Sequence, residues 1–419
     1  MSLSAHILKI ARAAKKASFQ MALINAKEKN HALLLMANAL KSQQSFLIKE
    51  NAKDLAAATK AKYSKALVDR LTLNSKRITA MADGLRETAK LKEPVGQLLE
   101  TIRRPNGLLI KKIRVPLGVV GIIYESRPNV TADCAALCLK SGNAAILKGG
   151  REAIHSNKAI FKILKGQLKK TRIPLDALQL IESTDRQAVH ELLKHDELLD
   201  VVVPRGGEEL IRFVADNSRI PVIKHYKGIC HVYVQSEADL KMAQRIVMNA
   251  KVQKPGVCNA METLLVDRSV ARKFLPPVIV DLQKAGCEIR GDQATRAIVK
   301  EGVKKATEED WRTEYLDLIL SVRVVENINQ AIEHINTFGS HHSDTIVTKN
   351  KNQAQAFLDA VDSACVYVNA STRFTDGFEF GFGAEVGIST DKLHVRGPMA
   401  LEGLTSYKYE IYGNGQVRV

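Results

Sequence analysis

The chain has 419 residues, too many for one core of ordinary size, and its 45% apolar content with 25 Gly and 11 Pro is typical of a globular protein with at least two domains. No apolar run reaches the length of a membrane span. The formal charge of +17 suits a nucleic-acid-binding protein, but the basic residues are scattered and aromatic residues make up only 5%. A small anionic substrate and a phosphorylated cofactor explain the charge equally well, so we expect neither a nucleic-acid nor a membrane partner.

Residues 5–95 have the periodicity of helices, with apolar residues three and four apart from His31 to Ile48 and from Ile78 to Leu91. The first 27 residues contain no acid, as in a transit peptide, but the helical pattern continues without a cleavage-like break. We therefore interpret this segment as the first amphipathic helix of the domain. Its predicted apolar face consists of Ile7, Ile10, Ala11 and Ala14.

Two segments with a strand pattern stand apart from the rest of the chain. Residues 100–116 form two extended runs about Pro105-Asn106-Gly107, which predicts a hairpin. Residues 405–412 and 416–419 alternate about Gly413-Asn414-Gly415. Neither segment makes a stable sheet alone, so we expect them to pair with each other or across subunits, in a ribbon that makes a homodimer or a dimer of dimers.

Strands and helices alternate from residue 115 to residue 215. This spacing predicts parallel βαβ units with both faces covered, the doubly wound architecture typical of nucleotide-binding domains. The predicted strands are 117–124, 144–147, 177–181 and 201–203, and the predicted helices are 131–141, 154–170, 186–193 and 208–215.

A second alternating series follows Cys258 and predicts a second α/β domain. Its predicted strands are 263–266, 318–325, 344–347 and 365–369, and its helices are 269–285, 328–336 and 352–361. We expect a cofactor domain of residues 1–99 and 117–255, a catalytic domain of residues 256–404, and an oligomerisation ribbon of residues 100–116 and 405–419.

Cys258 lies in a turn between a predicted helix, which Pro255 and Gly256 end, and a buried strand. A cysteine in a loop on a rigid scaffold is accessible, and Lys251, Lys254 and backbone N–H groups can lower its pKa, so the thiolate can act as a nucleophile. The alternative is a small buried hydrophobic side chain.

The other five cysteines are scattered, at positions 134, 138, 230, 287 and 365. They form no CxxC pair and no regular framework, and the N-terminus lacks the apolar core of a signal peptide. We interpret all six cysteines as reduced thiols in a cytoplasmic protein, and Cys134 and Cys138, which share a helix face, as core residues.

Two strand-to-helix junctions combine basic residues with two glycines, namely Lys148-Gly149-Gly150-Arg151 and Arg205-Gly206-Gly207. Such turns let a backbone approach a phosphate closely, and cations can hold it. Neither has the G-x-G-x-x-G spacing, and a Gly-Gly turn with solvated cations is the alternative for each. Two such turns in one α/β half favour a dinucleotide cofactor.

Two further motifs carry weaker signals. Gly381–Gly387 is superficially similar to a dinucleotide fingerprint but follows no strand, so we predict a loop over the active site. His341–Asp344 could suggest a metal, but no residue nearby in the sequence completes a set of three or four ligands. We therefore predict no metal site.

Five long segments resemble the aldehyde dehydrogenase superfamily, and the likeness spans nearly the whole chain. The segments are VPLGVVGIIYESRPNVT (115–131), VCNAMETLLV (257–266), VYVNASTRFTDG (366–377), GAEVGIST (383–390) and HVRGPMALEGLTSYK (394–408). The resemblance implies an α/β fold with a Rossmann-type cofactor domain, an α/β catalytic domain that carries Cys258, and a small β oligomerisation ribbon.

Within that superfamily, the segments are similar to enzymes that use NADPH to reduce L-glutamate 5-phosphate to L-glutamate 5-semialdehyde and phosphate in proline biosynthesis. The resemblance implies that Cys258 attacks the acyl phosphate and that hydride transfer to the resulting thioester releases the aldehyde. It also implies a glutamate 5-kinase as the upstream donor. The alternative is another NADP-dependent acylating aldehyde dehydrogenase with a different acyl donor.

The resemblance also suggests roles for individual residues. Asn129 and the Cys258 backbone N–H would stabilise the oxyanion, unless Asn129 only caps a helix. Glu314 would hold the nicotinamide ribose, unless it is one more surface acid. Arg151 stands where many NAD-dependent members place a glutamate, and a cation there suits the 2′-phosphate of NADPH. The candidates for substrate binding are Arg127, Asn259, Ser371, Thr372, Arg373 and Asp376.

One departure from ordinary aldehyde dehydrogenases is informative. The glutamate with which those enzymes activate water for thioester hydrolysis is absent, and the matching stretch here is His225–His231. An enzyme that exchanges its thioester with phosphate instead of water should lack that base. The absence therefore favours a phosphate-dependent reaction.

Overall fold

The computed structural model describes residues 2–418 and divides into two compact units. The first unit contains the chain up to Lys224, Gly381–Gly387 and the chain from Pro398 onward, and the second contains His225–Phe380 and Ile388–Gly397. The boundary after Lys224 lies earlier than the predicted boundary after residue 255. The reason is that a strand beginning at Cys230, which we had placed in the cofactor domain, pairs with the strand that follows Cys258.

The first unit is built from these elements. Its helices are α1 (Leu3–Met21), α2 (Ala26–Ser42), α3 (Gln44–Lys60), α4 (Lys65–Leu71), α5 (Ser75–Lys90), α6 (Asn129–Lys140), α7 (Ile154–Leu168), α8 (Gln187–Leu192) and α9 (Glu208–Asn217). Its strands are β1 (Leu98–Arg103), β2 (Leu109–Pro116), β3 (Val119–Tyr124), β4 (Ala144–Gly149), β5 (Leu178–Leu180) and β6 (Val201–Arg205), and β16 (Thr405–Tyr412) returns to it at the end of the chain.

Helix α1 confirms the amphipathic interpretation of the N-terminal segment. Ser2 caps the helix through a hydrogen bond from the Ala5 N–H, and the four predicted apolar residues are buried in the core with residues of β3 and β4. Cys134 and Cys138 are buried on α6, as predicted. No helix among residues 2–418 is both long and apolar enough to cross a bilayer.

The sheet of the first unit is parallel, with the strand order β5-β4-β3-β6. In chain order this is 3-2-1-4, so successive connections run in opposite directions on either side of β3. In open α/β sheets, ligands bind outside the carboxyl ends of the strands at such a switch point. The end of β3 and the end of β6 therefore mark the expected cofactor crevice.

The two predicted β segments pair with each other in a three-stranded antiparallel sheet of order β1-β2-β16. Gly107 makes the β1–β2 turn with a φ of +88°, which glycine adopts without strain. The predicted strand from residue 416 is not formed over residues 416–418, and Val419 lies outside the described residues. The Gln416 side chain instead donates to the Asn106 carbonyl at 3.0 Å, so this segment packs on the turn.

The second unit carries the second predicted α/β series. Its helices are α10 (Leu240–Val252), α11 (Arg268–Lys284), α12 (Gln293–Ile298), α13 (Ile328–Phe338) and α14 (Lys351–Ala360). Its strands are β7 (Cys230–Val234), β8 (Met261–Asp267), β9 (Glu288–Gly291), β10 (Val303–Lys305), β11 (Ile319–Val325), β12 (Ser343–Val347) and β13 (Cys365–Val368). Two short strands, β14 (Gly387–Ser389) and β15 (Gly397–Met399), pair with each other.

Seven parallel strands form the sheet of the second unit, in the order β10-β9-β11-β8-β7-β12-β13. Every residue of β8 is buried, as expected for a central strand with both faces covered. The sequence patterns missed β7, β9 and β10, because these strands are short and β7 contains His231 among its apolar residues.

Candidate active site

Three side chains that are distant in the sequence meet at the amino edge of the second sheet. His225, Cys258 and His342 each precede a strand, and those strands, β7, β8 and β12, are neighbours in the order β8-β7-β12. Because the strands are parallel, their amino ends lie side by side. The Cys258 Sγ and one ring nitrogen of each histidine all lie within 4.8 Å of one another.

The main chain of Cys258 rests directly on Gly228. A Cβ at Gly228 would collide with the Cys258 carbonyl oxygen and Cα, so a glycine is required there. The Cys230 thiol donates to the same carbonyl oxygen at 3.2 Å. Cys258 itself is half-buried, in contrast to the other five cysteines, which are buried, and no disulfide joins any of the six. These contacts fix the backbone of Cys258 and leave its side chain accessible to solvent.

His225 is oriented by the backbone. Its Nδ1 lies 2.9 Å from the Ile388 carbonyl oxygen, and because a carbonyl only accepts hydrogen bonds, Nδ1 carries the proton. In the neutral form of the ring, the lone pair then lies on Nε2, through which an imidazole can accept a proton or bind a metal. Sequence analysis noted His225 only as the residue standing in place of a glutamate.

His342 is completely buried beside His225, and the two rings meet edge to face with centroids 5.6 Å apart. Its Nδ1 lies 2.8 Å from the Ser343 hydroxyl, and its Nε2 has no hydrogen-bond partner among the described residues. Burial, with a smaller contribution from His225, lowers the pKa of His342 to about 3, so the ring is neutral at physiological pH.

Asn259 and Thr372 hold the loop that carries the predicted substrate residues. The Asn259 amide donates to the Thr375 carbonyl at 2.8 Å and accepts from the Arg373 guanidinium, and the Thr372 hydroxyl donates to the Asn259 carbonyl at 2.7 Å. Ser371, also buried, accepts from the Arg373 N–H. Asn259, Ser371 and Thr372 are thus engaged in contacts within the protein, which position the loop.

Arg373 is the partly exposed member of this group. Its Nε donates to the Gln253 side chain at 2.9 Å. Desolvation lowers the pKa of the guanidinium, and the neighbouring Cys258 opposes that shift. Arg373 therefore places a positive charge near the thiol, where it can attract an anionic substrate.

Lys251 has a partner that the sequence did not indicate. Its ammonium forms a fully buried ion pair with Glu262 on β8 at 2.6 Å, so its charge is directed at that carboxylate. Burial raises the pKa of Glu262 to about 7, and Lys251 opposes that shift. Lys254 is exposed on the loop before Cys258.

Glu314 lies close enough to Glu262 to raise the pKa of that carboxyl further. Its neighbour Tyr315 donates to Asp310 at 2.8 Å and lies 2.8 Å from the Ser321 hydroxyl. Glu314 is half-buried and adjoins this hydrogen-bonded network, so it differs from a freely solvated surface acid.

At the cofactor edge of the first unit, most of the Gly-Gly junction after β4 is occupied by the protein itself. Lys148 is buried, its ammonium donates to the Gly149 carbonyl at 2.9 Å, and burial lowers its pKa. A Cβ at Gly149 would collide with Asn157, and a Cβ at Gly150 would collide with the Glu152 carboxylate. Arg151, in contrast, is exposed.

The junction after β6 shows the same feature. The Glu125 carboxylate fills the space that a Cβ at Gly206 would take, and it accepts the Gly207 N–H at 3.0 Å. Gly207 is open to solvent. The Arg205 side chain packs on Gly387, which belongs to the same unit. Sequence analysis missed Glu125 and Glu152, because a lone acid after a strand gives no signal of its own.

Asn129 does not cap α6. Pro128 occupies the cap position, and the Asn129 amide donates to the Asp133 carboxylate one turn along the helix at 2.8 Å. Burial raises the pKa of Asp133 to about 6. The capping alternative is therefore excluded, and one of the two amide N–H groups of Asn129 remains beyond the bond to Asp133. Arg127 is exposed just before the same helix.

A nicotinamide dinucleotide fits this edge of the sheet. The exposed Arg151 suits a phosphate, the open Gly207 leaves room for a ligand, and both lie at carboxyl ends of parallel strands beside the switch point. Lys148, Gly149, Gly150 and Gly206 contribute chiefly by shaping the two turns.

Comparison with known proteins assigns the chain to a family. The model of the aldehyde dehydrogenase family matches residues 2–296. The gamma-glutamyl phosphate reductase of Nautilia profundicola is 54% identical over 409 residues, which cover 98% of this chain and 99% of the relative. That of Caldanaerobacter subterraneus subsp. tengcongensis is 56% identical over 408 residues, covering 97% and 98%.

A solved structure agrees with the sequence relatives. The crystal structure of gamma-glutamyl phosphate reductase from Thermotoga maritima superposes with a TM-score of 0.96 at 46% identity, covering 99% of this chain and 100% of that one. The fold class predicted from the sequence is thereby confirmed. The chain belongs to the aldehyde dehydrogenase family and, within it, to the gamma-glutamyl phosphate reductases.

Proposed function

We propose that the protein reduces L-glutamate 5-phosphate with NADPH to L-glutamate 5-semialdehyde and phosphate, in proline biosynthesis. The observation that carries this proposal is the half-buried Cys258 thiol beside the His225 ring. Identity above 50% with gamma-glutamyl phosphate reductases supports the choice of substrate.

The reaction proceeds in two steps at Cys258. The thiol proton passes to His225, the sulfur bonds to the acyl carbon, and the carbon–oxygen bond to phosphate breaks. NADPH supplies the hydride that adds to the thioester carbonyl carbon. The carbon–sulfur bond then breaks, which releases the semialdehyde and returns the thiolate. In both steps the backbone N–H of Cys258 would stabilise the oxyanion, and the Asn129 amide, oriented by Asp133, is the candidate for a second donor.

Charged side chains would recognise the ligands. Arg151 would hold the 2′-phosphate of the cofactor, and Glu314 is the candidate for its nicotinamide ribose. Arg373 would bind an anionic group of the substrate, and Arg127 is a further candidate for that role. Asn259, Ser371 and Thr372 keep Arg373 in place through the hydrogen bonds described above.

A hydrolytic aldehyde dehydrogenase is the second candidate, and one observation favours it. Sequence analysis treated the position of the water-activating glutamate as lacking a base, but His225 from that stretch lies beside the thiol. An imidazole can activate water as well as a thiol. The dependence of the reaction on phosphate distinguishes the two candidates.

The proposal also covers the oligomeric state of the protein and its location in the cell. The β1-β2-β16 ribbon joins two copies into a homodimer, or four into a tetramer, in the cytoplasm. A glutamate 5-kinase supplies the acyl phosphate, whose lability favours a short path between the two enzymes.

The experiment runs the reaction in reverse. DL-pyrroline-5-carboxylate, which is in equilibrium with the semialdehyde, is mixed with NADP⁺ and phosphate, and the absorbance of NADPH is followed for the wild type and for Cys258→Ala. We expect phosphate-dependent reduction that is lost in the variant. Reduction of NADP⁺ without phosphate would favour the hydrolytic candidate. Reduction that requires coenzyme A in place of phosphate would favour another acylating enzyme. The absence of any reduction by folded protein would refute the substrate assignment.

A further inference from the structure

The cluster of His225, Cys258 and His342 has the composition of a metal site. It offers one sulfur and two imidazole nitrogens within 4.8 Å of one another, all within the second unit. The sequence predicts no metal at His341–Asp344, because no neighbour in the sequence completes the ligand set. The other two ligands come instead from the segments that precede the neighbouring strands β7 and β8.

Two details of hydrogen bonding point to a ligand. Nδ1 of His225 donates to the Ile388 carbonyl, an outer-shell contact of the kind that orients metal-binding histidines. Nε2 of His342 is buried without a hydrogen-bond partner in the described chain, which is an unfavourable state for a polar atom. The proposed reaction uses His225 and Cys258 but has no role for His342.

We propose that Cys258, His225 and His342 form a binding site for a thiophilic divalent cation, Zn²⁺ or one of similar chemistry, whose binding reversibly blocks the thiol. One sulfur and two imidazole nitrogens match the ligand preference of Zn²⁺, and a fourth, open position would take water. The thiol loses its proton to solvent on binding. This inference goes beyond the proposed reaction and does not depend on its substrate.

Binding of an ion requires the three side chains to move slightly closer together. Ligands at about 2.0–2.3 Å from a tetrahedral ion lie roughly 3.4–3.6 Å from one another, so the separations of up to 4.8 Å must contract. Cys258 and His225 are only half-buried and can rotate toward the buried His342. The positive charge of Arg373 opposes the cation, which favours reversible binding over a permanent structural ion.

Cobalt provides a readout that is independent of activity. The full-length protein, stripped with a chelator, is titrated with Co²⁺, and the near-ultraviolet charge-transfer band from thiolate to cobalt is recorded. We expect about one Co²⁺ per chain, displaced by Zn²⁺, and inhibition by Zn²⁺ that a chelator reverses. Cys258→Ser should remove the charge-transfer band, and His225→Gln and His342→Gln should each weaken Zn²⁺ binding at least tenfold by calorimetry.

The matched controls are His341→Asn and Cys230→Ser. His341 adjoins His342 but lies outside the cluster, and asparagine tolerates its φ of +59°. Cys230→Ser tests whether the other nearby thiol is the ligand. Both controls should bind Zn²⁺ like the wild type. Unfolding temperatures measured without metal identify a variant that fails to fold. If the buried variant His342→Gln fails to fold, Zn²⁺ binding by His225→Gln, at the half-buried position, tests the proposal. Unchanged binding in folded Cys258→Ser or His225→Gln would overturn the proposal.

Discussion

At the scale of single residues, the sequence singled out Cys258 but not the side chains around it. Cys258 could be singled out because Pro255 and Gly256 interrupt a helix just before it. His225 and His342 could not, because only the strand order β8-β7-β12 brings them to the thiol. The sequence also did not predict the partner of Lys251, because a buried ammonium requires a partner and Glu262, which supplies it, lies on another element.

Gly228 offers a test of how tightly the Cys258 backbone must be held. Gly228→Ala would place a methyl group against the Cys258 main chain. We expect kcat to fall by about 100-fold or more, since displacements near 1 Å have such effects, and stability to fall by about 1–3 kcal/mol. The reverse assay and thermal unfolding measure the two effects.

Gly256→Ala is the matched control. Gly256 lies two residues from Cys258, and a Cβ there meets only the Leu316 carbonyl oxygen, at an ordinary 3.5 Å. Activity within about twofold of the wild type is expected. Full activity in Gly228→Ala would show that the thiol tolerates a shift of its backbone.

At the scale of elements, the βα alternation was predicted well and the domain boundary was not. Long apolar strands such as β3 and β11 were found within one or two residues at their ends. The assignment of β7 and α10 failed, because which sheet a strand joins is decided by pairing partners distant in sequence, here β8 and β12. The buried Lys251–Glu262 pair now links α10 to β8.

The pH dependence of that link can be measured. Burial raises the pKa of Glu262 above its unfolded value of 4.5 to about 7, so its contribution to the free energy of unfolding is fully present below pH 4.5 and is lost as the pH rises through 7. The unfolding free energy of the wild type minus that of Glu262→Gln should therefore fall by about 3 kcal/mol between pH 4.5 and pH 8. Urea unfolding followed by the fluorescence of Trp311, the single tryptophan and a residue of the second unit, measures it.

Glu288→Gln is the control with the opposite sign. Hydrogen bonds from Lys304 and Arg290 lower the pKa of Glu288, so its contribution is lost as the pH falls. The difference from wild type should then grow with rising pH, although by less, because Glu288 is partly exposed. A Glu262→Gln difference that also grows with pH would contradict our account of the buried pair.

At the scale of the whole molecule, the ribbon was predicted from two strand patterns that had no other partner. Pairing of β2 with β16 confirms that they join within one chain. Tyr407, Tyr409 and Ile411 share one face of β16 and are 49%, 51% and 62% exposed, and β16 is an edge strand. Apolar residues on an open edge favour pairing with a second copy.

We expect charges on that face to separate the proposed subunits. The double variant Tyr409→Lys and Ile411→Lys is expected to lower the mass measured by light scattering during size-exclusion chromatography to that of a smaller assembly. Leu23→Lys, at an 86% exposed position in the same unit but outside the ribbon, should leave the mass unchanged. An unchanged mass in the double variant would place the subunit interface elsewhere.

The central claim is that Cys258 carries an acyl group that phosphate, and not water, removes. The most direct measurement mixes the protein with the semialdehyde and NADP⁺ in buffer without phosphate, follows NADPH during the first turnover, and determines the mass of the peptide that contains Cys258. We predict a burst of roughly one NADPH per chain, a glutamyl adduct on Cys258, and its discharge when phosphate is added. Steady turnover without phosphate, or a burst without an adduct on Cys258, would contradict the account.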